Sequence, residues 1–128
     1  MIVSTTRLRL RSYSYLLPFG WQVFQVYRQV KKSSGNRGIK LLKSRGLTFW
    51  TCTLWQDRQA LMTFSHNGTH DQGSSNLQIW CDEAAHGHWP GSELPSWKQA
   101  AAGLVEHGRL NELTYPSARQ QAGEFNLD

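Results

Sequence analysis

Four of the five histidines fall into two close pairs, His66 with His70 and His86 with His88, while Asp82 and Glu83 stand beside Trp80 and Cys81. Spacing decides what each group could do. Residues four apart share one face of a continuous helix, so His66 and His70 could ligate a metal there, but the Asn67-Gly68 between them is a helix-ending signal. His86 and His88 alternate on a strand and point the same way. No cysteine or carboxylate spacing completes a ligand set around either pair, so no metal is expected. In the plainer reading His70 caps or hydrogen-bonds, and His86 and His88 line a polar edge. Asp82 and Glu83, being adjacent on a strand, face opposite ways and cannot form a paired acid and base. They are expected to salt-bridge the arginines of the first strand or to cap a segment. Gly-rich phosphate loops, a Ser-His-Asp order and a Cys-x-x-Cys motif are all missing from the sequence.

These residues need elements to position them. Residues 2 to 11 alternate with the period of a strand, and Phe19, Val23, Val26, Tyr27 and Val30 recur at helical spacing behind Pro18, which suits a first helical turn. Ser33-Ser34-Gly35-Asn36 stops that helix. Gly38 to Arg45 and Leu47 to Trp55 read as a hairpin around Gly46. Asp57 caps a helix carrying Ala60, Leu61 and Phe64. Thr69 to Cys81 reads as an irregular or broken helix, Glu83 to Trp89 as a last strand, and Pro95 to Glu106 as a short helix closed by Gly108. Residues 1–108 are thus expected to form a single domain, with 109–128 as a polar, mobile tail. The order β-α-β-β-α-β predicts an α+β, ferredoxin-like antiparallel sheet with helices on one face.

The strand Leu47 to Trp55 is apolar on both sides. Phe49 and Trp55, with Thr51 and Thr53 between them, point one way, and Trp50, Cys52 and Leu54 the other. A sheet half open to water would carry polar residues on one face, so both faces must be covered. The sequence leaves the second face bare, and a second copy is expected to close it, giving a homodimer.

At 128 residues the chain is long enough to bury a core without staples, and its six Trp, five Phe and four Tyr among 18% charged residues describe a globular protein. The net charge of +5 comes from scattered basic residues, and nucleic acid is not an expected partner. Two cysteines, Cys52 and Cys81, suit reduced thiols in a cytoplasmic protein. Arginines interrupt the N-terminal apolar residues where a signal peptide needs an unbroken run, and no segment is long enough for a membrane span.

Through Phe49-Trp-Thr-Cys-Thr-Leu-Trp-Gln-Asp-Arg-Gln-Ala-Leu61, Gly68-Thr-His70, Trp80-Cys-Asp-Glu-Ala84 and His88-Trp89 the chain resembles the antibiotic-biosynthesis monooxygenase-like superfamily. Within it, the chain is most similar to a bacterial branch sharing the Trp-Cys-Asp-Glu-Ala segment and Leu94-Pro-Ser-Trp97. The resemblance spans roughly residues 2 to 118 and implies a dimeric α+β barrel. Where haem-degrading relatives carry Asn, Trp and His, this chain has Thr6, Phe64 and Ser74, so haem binding is not expected and no cofactor is called for. The cofactor-independent, quinone-forming relatives carry a Trp matched by Trp55, but their Asn four residues earlier is Thr51 here.

The leading expectation is a homodimer binding a small, largely apolar or aromatic molecule, with a cofactor-free monooxygenase-like activity in which Trp55 shapes the pocket and His70 handles a proton. Thr6, Leu8, Phe24, Tyr27, Thr51 and Phe64 are the expected ligand-binding residues. The rival expectation is a non-catalytic interaction or membrane-surface protein, with Tyr13 to Lys32 lying on an anionic bilayer.

Overall fold

The computed structural model describes residues 1–65 and 76–124. Its elements are β1 (Ile2–Leu10), a 3-10 turn (Tyr13–Tyr15), α1 (Leu16–Lys32), β2 (Asn36–Lys43), β3 (Thr48–Trp55), α2 (Arg58–Ser65), β4 (Cys81–Pro90), α3 (Trp97–His107), β5 (Arg109–Leu110) and α4 (Ala118–Gln121). Residues 76–80, just ahead of β4, are helical. The strands form one antiparallel sheet in the order β2-β3-β1-β4-β5, and α1 and α2 pack on one face of it in the ferredoxin-like arrangement.

Local chemistry sets most element ends. Asp57 Oδ1 accepts the backbone N–H of Ala60 at 2.8 Å and starts α2. Ser96 and Gln99 form a reciprocal capping box that starts α3 at Trp97, two residues later than the start read at Pro95. Gly35, between α1 and β2, has φ 87°, and a Cβ there would lie 2.6 Å from that of Ala60, so both backbone and packing require glycine.

The alternation expected on β3 is observed. Phe49 packs on Phe19 of α1 with ring centroids 4.8 Å apart, and Trp55 packs with Val30, Leu61 and Phe64 beneath α1 and α2. Trp50, Cys52 and Leu54 lie on the other side. That side is not bare: α3 and its lead-in cover it, with Leu104 on Trp50 and Ala85, and Leu94 and Trp97 on Val3, Cys52 and Leu54. The expectation that a second copy closes this face is therefore corrected. The reason is the chain's own return after β4, which lays the helix read from Ala100, Ala101 and Leu104 across it.

Arg7 and Arg9 sit on this closed face, and the carboxylates expected to pair with them do so. Arg7 Nη1 meets Glu83 Oε1 at 3.1 Å with both side chains buried, while Arg9 holds Asp82 through two 2.9 Å hydrogen bonds and also reaches Glu83. Ser117 donates to the second oxygen of Glu83. Cys52 and Cys81 are unbridged and buried.

The polar tail expected from Arg109 onward is instead docked, at least to residue 124. β5 extends the sheet beside β4, and α4 brings Gln120 into a buried position where its amide accepts from Ala84 N and donates to Ala84 O and Asn111 O. One side-chain amide thus takes the place of a strand's backbone groups at the sheet edge. Only Leu110 and Leu113 add apolar packing to these hydrogen bonds, too few to make a periodic pattern in residues 109–124.

Candidate functional site

Between α1, α2 and the sheet lies a cavity of about 480 Å³, within the roughly 300–1,000 Å³ usual for small-molecule sites. Its roof is apolar: Val23, Val26, Tyr27 and Val30 from α1, and Leu61, Met62 and Phe64 from α2. Its floor follows from strand register. Leu41, Thr51, Thr6 and His86 lie side by side across β2, β3, β1 and β4, and Ile39, Thr53, Ser4 and His88 form the parallel row two residues away. Each row runs from an aliphatic residue through two hydroxyls to an imidazole. A ligand lying along a row would meet apolar surface at one end and a proton acceptor at the other.

The imidazole end is organised by residues far apart in sequence. His86 Nδ1 lies 2.9 Å from Asn111 Oδ1, and Asn111 follows β5 in the segment anchored by Gln120. The amide oxygen facing the ring accepts from Nδ1–H in the tautomer that leaves Nε2 as an acceptor. His88 has its pKa lowered, first by partial burial and then by the positive charges of Arg58, His86 and Arg109, which favours the neutral ring. Both imidazoles are exposed at the mouth of the cavity.

Of the residues expected from sequence, Thr6, Leu8, Tyr27, Thr51 and Phe64 line the cavity. Phe24 does not. It lies on the outer side of α1, 49% exposed, because the helix turns Val23, Val26 and Tyr27 inward instead. Trp55 is wholly buried and absent from the lining; its indole N–H donates to Thr53 Oγ1 at 2.9 Å and its ring packs at a 30° tilt against Phe64, centroids 5.0 Å apart. It positions two cavity residues and does not present itself to a ligand. His70 and Ser74, like His66, lie outside the described residues.

Sequence reasoning passed over Ser4, Thr53, His86, His88 and Asn111 as cavity residues. The even positions of β1 and β4 and the odd positions of β3 were a usable signal for the first four, since they share the face of Thr6. Asn111 gave none. Cysteine chemistry is excluded by environment, because burial raises the Cys52 thiol and pushes that of Cys81 up to about 12. Among the described residues no group of three or more His, Cys, Asp or Glu is placed to hold a metal ion.

Fold and site together define a ferredoxin-like α+β protein with a ligand-sized cavity between helices and sheet. No protein-family model matches the chain, and no curated protein matches it. Solved structures do. The chain is similar to SnoaB, a cofactor-independent oxygenase from Streptomyces nogalater, in a mutant form, at 14% identity and TM-score 0.61, covering 74% of this chain and 97% of that one. It is similar to an antibiotic biosynthesis monooxygenase at 8% identity and TM-score 0.64, covering 73% of this chain and all of the other. Rv0793 from Mycobacterium tuberculosis gives 12% identity and TM-score 0.64 over 74% and 98%. The fold is that of the antibiotic biosynthesis monooxygenases.

Proposed function

We propose that this protein binds a small, largely apolar or aromatic molecule bearing an acidic hydroxyl, and carries out cofactor-free, monooxygenase-like chemistry on it. The observation that supports this is the pair of floor rows, which end hydroxyl-bearing strands on His86 and His88 beneath an apolar roof. His86, oriented by Asn111, is the group we assign to take the hydroxyl proton, and Thr6 and Thr51 would hold the ring oxygen. His70, expected from sequence for the proton step, is a second candidate for that role. Oxidation of a phenol with an open para position by dioxygen gives a quinone and water; every electron dioxygen accepts comes from the ring, so no separate reductant is required.

Titration with 1-naphthol and with naphthalene tests the binding half of this reading. The naphthol is expected to bind more tightly, and His86→Ala is expected to remove that preference while leaving naphthalene unchanged. Oxygen uptake in the presence of a naphthol tests the catalytic half. Equal affinity for the two probes in the wild-type protein would overturn the assignment of the imidazole end.

We further propose a homodimer and a cytoplasmic location. The first rests on the superfamily resemblance, since α3 occupies the face first assigned to a partner; light scattering checks it. The second rests on the reduced cysteines. No helix among the described residues is long and apolar enough to cross a membrane.

A further inference from the structure

The helix that roofs the cavity has a second face. Leu17, Trp21, Phe24 and Arg28 follow one another at helical spacing along its outside, and Lys31 and Lys32 complete the last turn. Leu17 is 86% exposed and Trp21 63%, and Tyr13, 74% exposed, stands on the preceding turn. Trp21 and Phe24 pack their rings 5.9 Å apart, and Arg28 lies over Phe24 at 5.8 Å, so the stripe is a continuous apolar and aromatic surface with cations at one end. Neighbouring large apolar residues exposed together mark an interaction surface.

Charge says what covers it. The first acidic residue in the chain is Asp57, so residues 1–56 carry only basic charge. Arg7 and Arg9 are neutralised by Asp82 and Glu83 on the far side of the sheet. Among the described residues no carboxylate pairs with Arg28, Lys31 or Lys32. Lys43 adds to the field from the edge strand β2, because its register partner Phe49 faces α1. A Trp and Phe at the apolar end with lysines at the other match a helix lying in a bilayer interface, with its rings among acyl chains and its cations among headgroups. Single-stranded nucleic acid would need basic groups beside each stacking ring, whereas here Arg28 attends Phe24 alone, and Leu17 and Trp21 stand ahead of the cations along the axis.

We propose that the outer face of α1 docks on an anionic membrane surface, with Leu17, Trp21 and Phe24 inserted and Arg28, Lys31 and Lys32 holding lipid headgroups. The docking does not depend on what the cavity binds. It would nonetheless place the cavity roof directly against the phase in which apolar molecules concentrate.

Flotation of the full chain with phosphatidylcholine vesicles, with and without phosphatidylglycerol, tests this at low salt. Co-flotation is expected only with the anionic vesicles. The double variant Trp21→Ser with Phe24→Ser should abolish it, and Leu17→Glu should do the same by a different change; these side chains are exposed, so near-ultraviolet circular dichroism should show the fold intact. Each of Arg28→Gln, Lys31→Gln and Lys32→Gln should weaken binding about fivefold. Absence of flotation with anionic vesicles overturns the proposal, as does flotation undiminished in the double variant. A wild-type dimer that the double variant converts to monomer assigns the stripe to a second copy and also overturns it. So does tighter binding to a single-stranded oligonucleotide than to the vesicles.

Discussion

The two faces of the sheet are built from the same strands and have opposite fates. On the α3 face, Val3, Cys52, Leu54, Trp50 and Ala85 meet Leu94, Trp97, Ala101 and Leu104, and Arg7 and Arg9 there are paired with Glu83 and Asp82. On the α1 face, positions two residues apart carry Ser4, Thr6, Thr51, Thr53, His86 and His88, and the helices stand off them to leave about 480 Å³. Hydroxyls and imidazoles cannot be sealed under Val and Leu without losing their water, so a row of them opposite an apolar helix keeps a space. One face is packed shut; the other keeps a cavity.

The contrast predicts where substitutions hurt. Glu83→Gln should be among the most damaging changes, at about 3 to 5 kcal/mol, because it removes the negative charge that meets the buried Arg7 guanidinium. Urea denaturation measures it, and a loss below about 1 kcal/mol would show that the pair is not sealed from water. Leu104→Ala, at a wholly buried position of α3, should cost about 3 kcal/mol. The matching truncation on the open side, Val26→Ala, should cost markedly less, since its neighbour is already space; equal costs would mean that the two faces pack alike. Gly103→Ala should cost about 1 to 2 kcal/mol, because a Cβ there would fall 2.4 Å from the Trp89 ring.

Smaller effects sharpen the comparison. Thr51→Val should leave stability within about 0.5 kcal/mol while lowering affinity for a naphthol relative to naphthalene, and unchanged selectivity would remove Thr51 from the site. The pH dependence is a matter of direction. His88 is harder to protonate folded than unfolded, so the unfolded chain binds more protons below an imidazole's ordinary 6.5. The urea midpoint should therefore fall as pH drops through that value towards the folded pKa, and His88→Asn should reduce that fall. A midpoint that rose on acidification, in wild type but not in the variant, would reverse the sign assigned to this ring.

Much of the site was readable because β-strands expose their chemistry in a period of two. Once β1 was placed, Thr6 and Leu8 had to share a face, and β3 likewise put Thr51 and Thr53 with Trp55. Phe24 is an expected ligand residue by its aromatic type, yet the helical stripe Phe19, Val23, Val26, Tyr27 and Val30 already leaves it out, and it lies outward while Tyr27 turns inward. Trp55 was read as a pocket wall on residue type, yet a ring that size is best buried where its N–H finds Thr53.

The sequence by itself determined β1 to β4 and α1 to α3, their antiparallel order, and the need to cover both faces of β3, and it offered the β1 arginines as one of two roles for Asp82 and Glu83, since each follows from alternation, caps and charge within short stretches of chain. Tertiary structure decided which segment does the covering and which imidazole is oriented. α3 closes a face whose strands lie up to a hundred residues earlier in the chain, and Asn111 reaches His86 because β5, its own backbone and Gln120 tie the last segment to the edge of β4. Contacts of that range are set by how whole layers stack, and local residue patterns carry no record of it.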